Sequence, residues 1–339
     1  MRSQITSMKG QQLAPLTSFM PATEAAPAVS VIIPAYNIAP YIAETLASVF
    51  AQTFTDYEVI VVNDGSPDTE EFERAIQPYL DTIVYLKQDN GGASAARNRG
   101  LQAARGGFVA FLDGDDVWLP GYLEEQMRFM QEQGCDLACA DAMFFGEGSF
   151  ESGTYMKAWM DDAPASGDFT FLELVDAKRS VITSGVVARR QPIVEIGMFD
   201  KELRRAQDFD LWLRLAVAGH RLSFQRKALL KYRCRTDSLS GGVINSHRRE
   251  LAVFDKIEQR YELSPEERAR AAEIICRRRA LLQFELGKLY SARGDFAAAH
   301  AAFAEANRLE PTLKRRIAPF LTRLAPRTMR AICARRYHQ

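Results

Sequence analysis

The sequence predicts an α/β fold: a doubly wound, mostly parallel sheet with helices on both faces, followed by an α-helical C-terminal region. Three observations carry this. Short apolar, β-branched runs in the first third lack the two-residue alternation of a half-exposed strand, so both faces of their sheet are covered. These runs alternate with segments whose apolar residues fall at helical spacing, one unit for roughly every thirty residues, the length of a strand–helix–strand crossover. From about His247 the texture turns charged and helical.

Val29–Pro34 (VSVIIP) reads as the first buried strand. From Pro40 to Gln52, Ile42, Leu46, Val49 and Phe50 fall on one helical face. Tyr57–Val62 (YEVIVV) is the second strand, closed by Asn63-Asp64-Gly65-Ser66. A helix is expected over Asp68–Tyr79, a third strand over Ile83–Leu86, a helix over Ala93–Ala104 and a fourth strand over Phe108–Leu112. Met143–Lys178, rich in Gly, Asp and aromatics, reads as loops that could carry acceptor contacts. Ala206–Ala218 reads as a helix, with Leu211, Trp212 and Leu215 on one side, and Ala228–Tyr232 as a last strand. Residues 282–311 carry Leu286-Gly287, Tyr290, Ala299, Phe303 and Pro311 at the spacing of a tetratricopeptide helix pair, with Gln283 where that repeat prefers Trp. One such pair cannot bury its own face, so it must pack on the catalytic domain or on a second copy of the chain. The expected division is a flexible leader over 1–28, the α/β domain over 29–246, the helical region over 247–311 and a basic amphipathic tail over 312–339.

Composition bounds the function. The 339 residues are 47% hydrophobic and 25% charged, ordinary for a globular protein, and the formal net charge of zero excludes a general nucleic-acid binder. That zero hides an asymmetry. From Thr312 onward there are eight Lys or Arg and no Asp or Glu, leaving 35 basic against 43 acidic residues elsewhere. A basic tail with interleaved Ile317, Phe320, Leu321, Leu324, Met329 and Ile332 suits an anionic membrane surface, with packing on the helix pair as the plainer reading. Five cysteines without a CxxC pair suggest free thiols rather than disulfides or zinc. No run has the length of a transmembrane helix and the N-terminus lacks the apolar stretch of a signal peptide, so the expected location is cytoplasmic, with peripheral contact to the inner membrane face.

In a doubly wound sheet, ligands bind at the carboxyl ends of the strands. The polar residues there are Tyr36-Asn37, Asp64-Gly65-Ser66, Asp89-Asn90-Gly91-Gly92 and Asp113-Gly114-Asp115-Asp116. Three carboxylates within four residues repel one another unless a cation lies among them, and hard ions such as Mg²⁺ or Mn²⁺ take such ligands. A solvated acidic turn at a helix start is the plainer alternative. Asp64 could accept from a ribose or base, or simply form a turn. Gly91-Gly92 and Ser94 precede a helix whose N–H groups suit an anion, and Arg97 and Arg99 add charge for phosphate.

The runs VSVIIPAYN, VIVVNDGS, NGGASAARNRG and FLDGDD, in this order and spacing, closely resemble the family 2 glycosyltransferases, which have the GT-A fold. The resemblance covers roughly Val29 to Ser240. It implies transfer of a sugar, with inversion, from a nucleotide-sugar (UDP-linked above all) to a glycan or lipid-linked acceptor. By that resemblance Pro34, Ala35 and Tyr36 border the donor's base, Asp64 binds base or ribose, and Arg97 lies near the diphosphate. Asp113-Gly114-Asp115 matches the family's DxD motif, with Asp113 toward the ribose and Asp115 holding Mn²⁺ or Mg²⁺; Asp116 supports that shell. The stretch Gln207-Asp208-Phe209-Asp210 matches the segment of the catalytic base, which makes Asp208 the base and Asp210 the fallback, unless Asp210 merely pairs with Arg214. Two departures stand out: Gln207 replaces a frequent Glu, and Arg235 stands where a histidine often contacts metal or diphosphate. Arg235 cannot ligate a metal, since it stays protonated, but it can grip a diphosphate. Trp118 and Trp212 read as packing residues and the four histidines as without a role. Two other readings compete. A sugar-1-phosphate nucleotidyltransferase would need a Gly-rich loop where Ala35-Tyr36-Asn37 stands, and a nucleotide-sugar-binding scaffold with a worn site would account for Gln207 and Arg235.

Overall fold

The computed structural model describes residues 25–147, 153–203, 206–235 and 243–337. The expected leader lies outside these up to residue 24, as does the segment after Arg235 through residue 242. Four strands, β1 (Val29–Ala35), β2 (Tyr57–Asp64), β3 (Val84–Gln88) and β4 (Phe108–Phe111), alternate with α1 (Ala39–Phe50), α2 (Thr69–Ile76) and α3 (Ala93–Ala103). Each expected element of this half exists within a few residues. The helix expected to Tyr79 stops at Ile76 and becomes a 3₁₀ turn over 77–79. Pro78 is the reason, because it has no N–H for the helical ladder.

The four strands pair in parallel in the order β3-β2-β1-β4, which sets their carboxyl ends side by side. Past β4 the sheet becomes mixed. The remaining elements are β5 (Val117–Trp118), α4 (Tyr122–Gln133), β6 (Leu137–Gly146), α5 (Tyr155–Trp159), β7 (Ser166–Asp168), α6 (Phe171–Val175), β8 (Val186–Arg189), α7 (Arg190–Glu195), α8 (Gln207–Val217) and β9 (Leu222–Cys234). Strand β8 joins β4 antiparallel, β6 follows antiparallel, β9 pairs parallel with β6, and β5 and β7 flank β9 antiparallel. The last strand thus begins at Leu222 rather than Ala228. Strand β6, buried through Ala142, was hidden in the sequence because its small residues (LACADA) have no β-branched signature.

Helices α9 (Val243–Arg260), α10 (Pro265–Arg293), α11 (Phe296–Leu309), α12 (Leu313–Leu324) and α13 (Pro326–Tyr337) complete the chain. The boundary expected after residue 246 does not separate two cores. Val253, Phe254, Ile257 and Tyr261 of the α9 segment, and Ala271, Ile275 and Leu282 of α10, belong to the same buried cluster as the sheet. The helix pair is α10 with α11. Gly287 lets them approach, since a Cβ there would lie 2.5 Å from the ring of buried Phe303. The tail is folded rather than loose: Ala318, Met329 and Cys333 form a cluster with Ala299 and Phe303. A new helix begins at Pro326, while Pro319 lies within α12. All five cysteines are free thiols. Among the described residues no helix is long and apolar enough to cross a membrane.

One buried carboxylate ties the parallel half together. Glu58 on β2 accepts from Ser30 Oγ at 2.7 Å, from the Arg105 backbone N–H at 2.7 Å and from Arg105 Nε at 2.8 Å. Burial pushes its pKa up, but these donors outweigh burial and hold it below 4.5. A lowered folded pKa means that the stabilisation is whole above pH 4.5 and is lost as pH falls through the folded value. Glu58→Gln should therefore lower the unfolding free energy at neutral pH by about 1–3 kcal/mol. Urea unfolding as a function of pH should also give a shallower loss below pH 4.5 for the variant than for the wild type.

Candidate functional site

A cavity of about 700 Å³ opens at the carboxyl ends of β1, β2 and β4. Pro34, Ala35, Tyr36, Asp64, Arg97, Asp113, Asp115 and Asp208 all line it. Eight residues spread over 175 positions of sequence are thus brought to one surface by the topology that sequence pattern predicted.

The acidic loop after β4 is pinned from several sides. Asp113 N–H donates to Ser184 Oγ at 3.1 Å, and Thr45 Oγ1 reaches the Gly114 and Asp116 carbonyls at 3.0 and 2.9 Å. Gly114 packs closely here, since a Cβ would fall 2.1 Å from Ile38 Cδ1 and that side chain would have to shift. Arg233 of β9 donates its Nε to the Asp115 carbonyl and its backbone N–H to Asp116 Oδ1, both at 2.8 Å. Its guanidinium lies over the rings of Tyr41 and Phe145, 4.8 and 4.2 Å from their centroids. Arg233 gave no signal in the sequence, since β9's pairing with distant β6 and β5 decides which of its arginines face the loop.

The charges of the loop are balanced by arginines. Arg97 on α3, 4% exposed, donates Nη2 to Asp113 Oδ1 at 2.5 Å, while its Nε and Nη1 are buried with no hydrogen-bond partner. Arg235 donates Nη1 to Asp115 Oδ2 at 3.0 Å. Burial, and then the neighbouring Asp113, raise the pKa of Asp115 against the pull of Arg235. Asp116 is fully buried, and burial followed by Asp115 and Asp113 raises its pKa strongly. Each arginine engages one oxygen of Asp113 or Asp115, so both carboxylates keep an oxygen for a hard divalent ion. Among the described residues no three His, Cys, Asp or Glu side chains converge as a ligand set. An ion here would complete its shell with phosphate oxygens and water, the usual habit of Mg²⁺.

Two expectations about the α3 entrance change. The anion held by the Gly91 and Gly92 N–H groups is the Asp64 carboxylate itself, at 2.8 Å from each, with Gln88 Nε2 at 2.7 Å. Asp64 is thus both turn former and cavity wall, with three of roughly four acceptor positions used. Ser94 donates to the Asp200 carbonyl at 2.9 Å and faces away from any ligand. Arg99 is exposed and outside the cavity, because residues two apart on a helix face opposite sides.

On the opposite wall stands the start of α8. Asp208 accepts from Thr183 Oγ1 at 2.9 Å and from the Phe209 N–H at 2.8 Å. The Thr183-Ser184 turn before β8 therefore grips Asp208 with one side chain and the Asp113 loop with the next. Asp210 is different. It is fully buried and takes Arg214 Nε at 2.8 Å, Lys256 Nζ at 2.6 Å and the Tyr261 hydroxyl at 2.9 Å. It is a structural carboxylate outside the cavity, which removes it as an alternative base. Gln207 lines the cavity with its buried Oε1 unpartnered. Ala206, just before it, adopts the left-handed conformation at φ 56°, as do Asn37 and Ala177, which also line the cavity. Such strain gathers at sites where a fixed backbone matters. Trp118 and Trp212 are buried, Trp118 donating to the Ser184 carbonyl at 2.8 Å. Arg249 and Glu250 of α9 also reach the cavity, a contribution hidden from a motif reading because no glycosyltransferase motif extends there.

Comparison with known proteins bears on this arrangement. The family model for Glycosyl transferase family 2 matches residues 30–193. A putative teichuronic acid biosynthesis glycosyltransferase, TuaG, of Bacillus subtilis is 32% identical over 238 residues, 69% of this chain and 89% of that protein. An uncharacterized glycosyltransferase of Rickettsia felis is 31% identical over 67% of this chain, and the match spans 37% of that relative's length. Among solved structures, S. aureus TarS 1-349 in complex with UDP-GlcNAc aligns with a TM-score of 0.63 over 92% of this chain and 91% of that one, at 20% identity. The mannosyltransferase PcManGT from Pyrobaculum calidifontis, in complex with GDP-Man and Mn²⁺, aligns with a TM-score of 0.60 over 91% and 85%, at 18% identity. At such identities the likeness is one of fold, the GT-A fold with helices added at its C-terminal side. By its motifs, its fold and its likeness to TuaG along most of that protein's length, the chain belongs to glycosyltransferase family 2.

Proposed function

We propose that the protein transfers a sugar from a nucleotide-sugar, UDP-linked, to a glycan or lipid-linked acceptor of a cell-surface polysaccharide, with inversion at the anomeric carbon. The observation that carries this reading is Arg97. A buried guanidinium with two unpaired nitrogens is costly unless a ligand completes it, and it borders a cavity beside paired carboxylates. A diphosphate is the ligand whose charge and geometry satisfy such a group. The teichuronic acid role named for TuaG and the UDP-GlcNAc bound by TarS support the donor and product class.

Each residue then has a task. Pro34, Ala35 and Tyr36 border the base, and Asp64 offers its remaining acceptor position to base or ribose. Arg97 binds the diphosphate, Asp113 faces the ribose and Asp115 would hold Mg²⁺ or Mn²⁺. A bound divalent ion supplies neutralising charge for the departing diphosphate. Asp208, aimed by Thr183, takes the proton of the acceptor hydroxyl as its oxygen attacks the anomeric carbon and the bond to the diphosphate breaks. Holding both substrates in line converts the encounter into a single oriented displacement. Arg235 donates to Asp115 and also lines the cavity, so its guanidinium would add positive charge for a phosphate bound beside that carboxylate.

Asp208→Asn should lower transfer by about 10²–10⁴-fold while leaving donor binding intact, measured by product formation and by nucleotide titration. The same variant should cost under about 1 kcal/mol of stability. Asp210→Ala, which removes a buried partner shared by Arg214, Lys256 and Tyr261, should cost about 3 kcal/mol in urea unfolding. A panel of nucleotide-sugars with and without Mn²⁺ should raise the melting temperature of the wild type for one UDP-sugar, and the metal-dependent part should vanish in Asp115→Ala. No shift with any donor, in folded protein, would favour a scaffold whose site has decayed at Gln207 and Arg235.

A further inference from the structure

The folded tail leaves one helix face bare. On α12, Ala318 and Thr322 are buried toward α11 and Arg315 pairs with Glu310. The other side carries Leu313, Ile317, Phe320, Leu321 and Leu324, all exposed; Leu313, Phe320 and Leu324 are 75%, 67% and 80% exposed. At 100° per residue these five fall within an arc of roughly 100°, a continuous apolar stripe. Lys314 borders it on one side and Arg316 and Arg323 on the other, all exposed. The neighbouring α13 adds exposed Arg327, Arg330 and Ile332. From Thr312 to the C-terminus there is no Asp or Glu.

We infer that α12 lies flat on an anionic lipid surface, its stripe in the acyl boundary and its bordering cations among the headgroups. Apolar residues flanked on both sides by basic ones, with the third face packed on the protein, are what an interfacial helix requires. Charge decides the occupant. A two-fold contact of α12 with its own copy would bring Lys314, Arg316 and Arg323 against the same residues, with no acidic partner in either tail. An anionic bilayer offers the opposite sign along the whole stripe. The inference does not depend on the proposed reaction, although such a surface is where lipid-linked acceptors reside.

The test is co-sedimentation of the full-length protein with phosphatidylcholine vesicles and with vesicles enriched in phosphatidylglycerol. The wild type should bind the anionic vesicles, more weakly as salt rises, and not the neutral ones. Lys314→Gln/Arg316→Gln/Arg323→Gln should bind them about a hundredfold more weakly, and Phe320→Glu/Leu324→Glu roughly tenfold or more weakly. All replaced side chains are exposed, so donor-induced thermal shifts should match the wild type, which separates this inference from the reading of the cavity. Absence of wild-type binding, or equal binding by both variants, would overturn it. So would concentration-dependent self-association in sedimentation velocity that Phe320→Glu/Leu324→Glu abolishes while no vesicle binding occurs; the stripe would then be an interface between copies.

Discussion

Three carboxylates within four residues, after the edge strand of a parallel set, are the constraint around which the molecule is arranged. Their mutual repulsion in a partly buried loop must be balanced. Arg97 comes from α3 and Arg233 and Arg235 from the end of β9, so two distant parts of the chain are drawn to the same loop. The balance is deliberately incomplete. One oxygen on each of Asp113 and Asp115, and two nitrogens on Arg97, are left for something else. Opposite charges held close together, neither fully satisfied, are the feature on which the proposed binding of a metal-bound diphosphate rests.

The antiparallel insertion of β8 explains how the second half of the chemistry is positioned. It brings the Thr183-Ser184 turn between the acidic loop and α8, so that adjacent side chains fix Asp113 and Asp208 relative to one another. The separation of these two aspartates is then set by a two-residue turn rather than by flexible loops. Behind α8, Asp210 with Lys256 and Tyr261 anchors the same helix to α9. The helical extension is therefore part of what holds α8, and with it Asp208, in place.

Much of this was legible in the sequence. The parallel strands are announced by unbroken β-branched runs, and the polar residues at their carboxyl ends point to one cavity. Asp208 and Asp210 could not be separated by motif alone. The difference between them is burial and three partners, two of which (Lys256 and Tyr261) lie some fifty residues downstream. Arg233 was hidden for the same reason: a one-residue change in strand register would turn it to the other face. Asp64's grip on Gly91 and Gly92 depends on loop geometry that no spacing rule predicts. Alanine-rich β6 has a composition that suits a helix as well as a strand, and only its buried place between β8 and β9 makes it a strand.

The proposed task of Arg97, holding the donor's diphosphate, is open to direct test. A crystal structure of the protein with UDP and Mn²⁺ tests it most directly. The expected result is diphosphate oxygen within hydrogen-bond distance of Arg97 Nε or Nη1. A nucleotide bound elsewhere, or bound in this cavity with Arg97 still unpartnered, would contradict it.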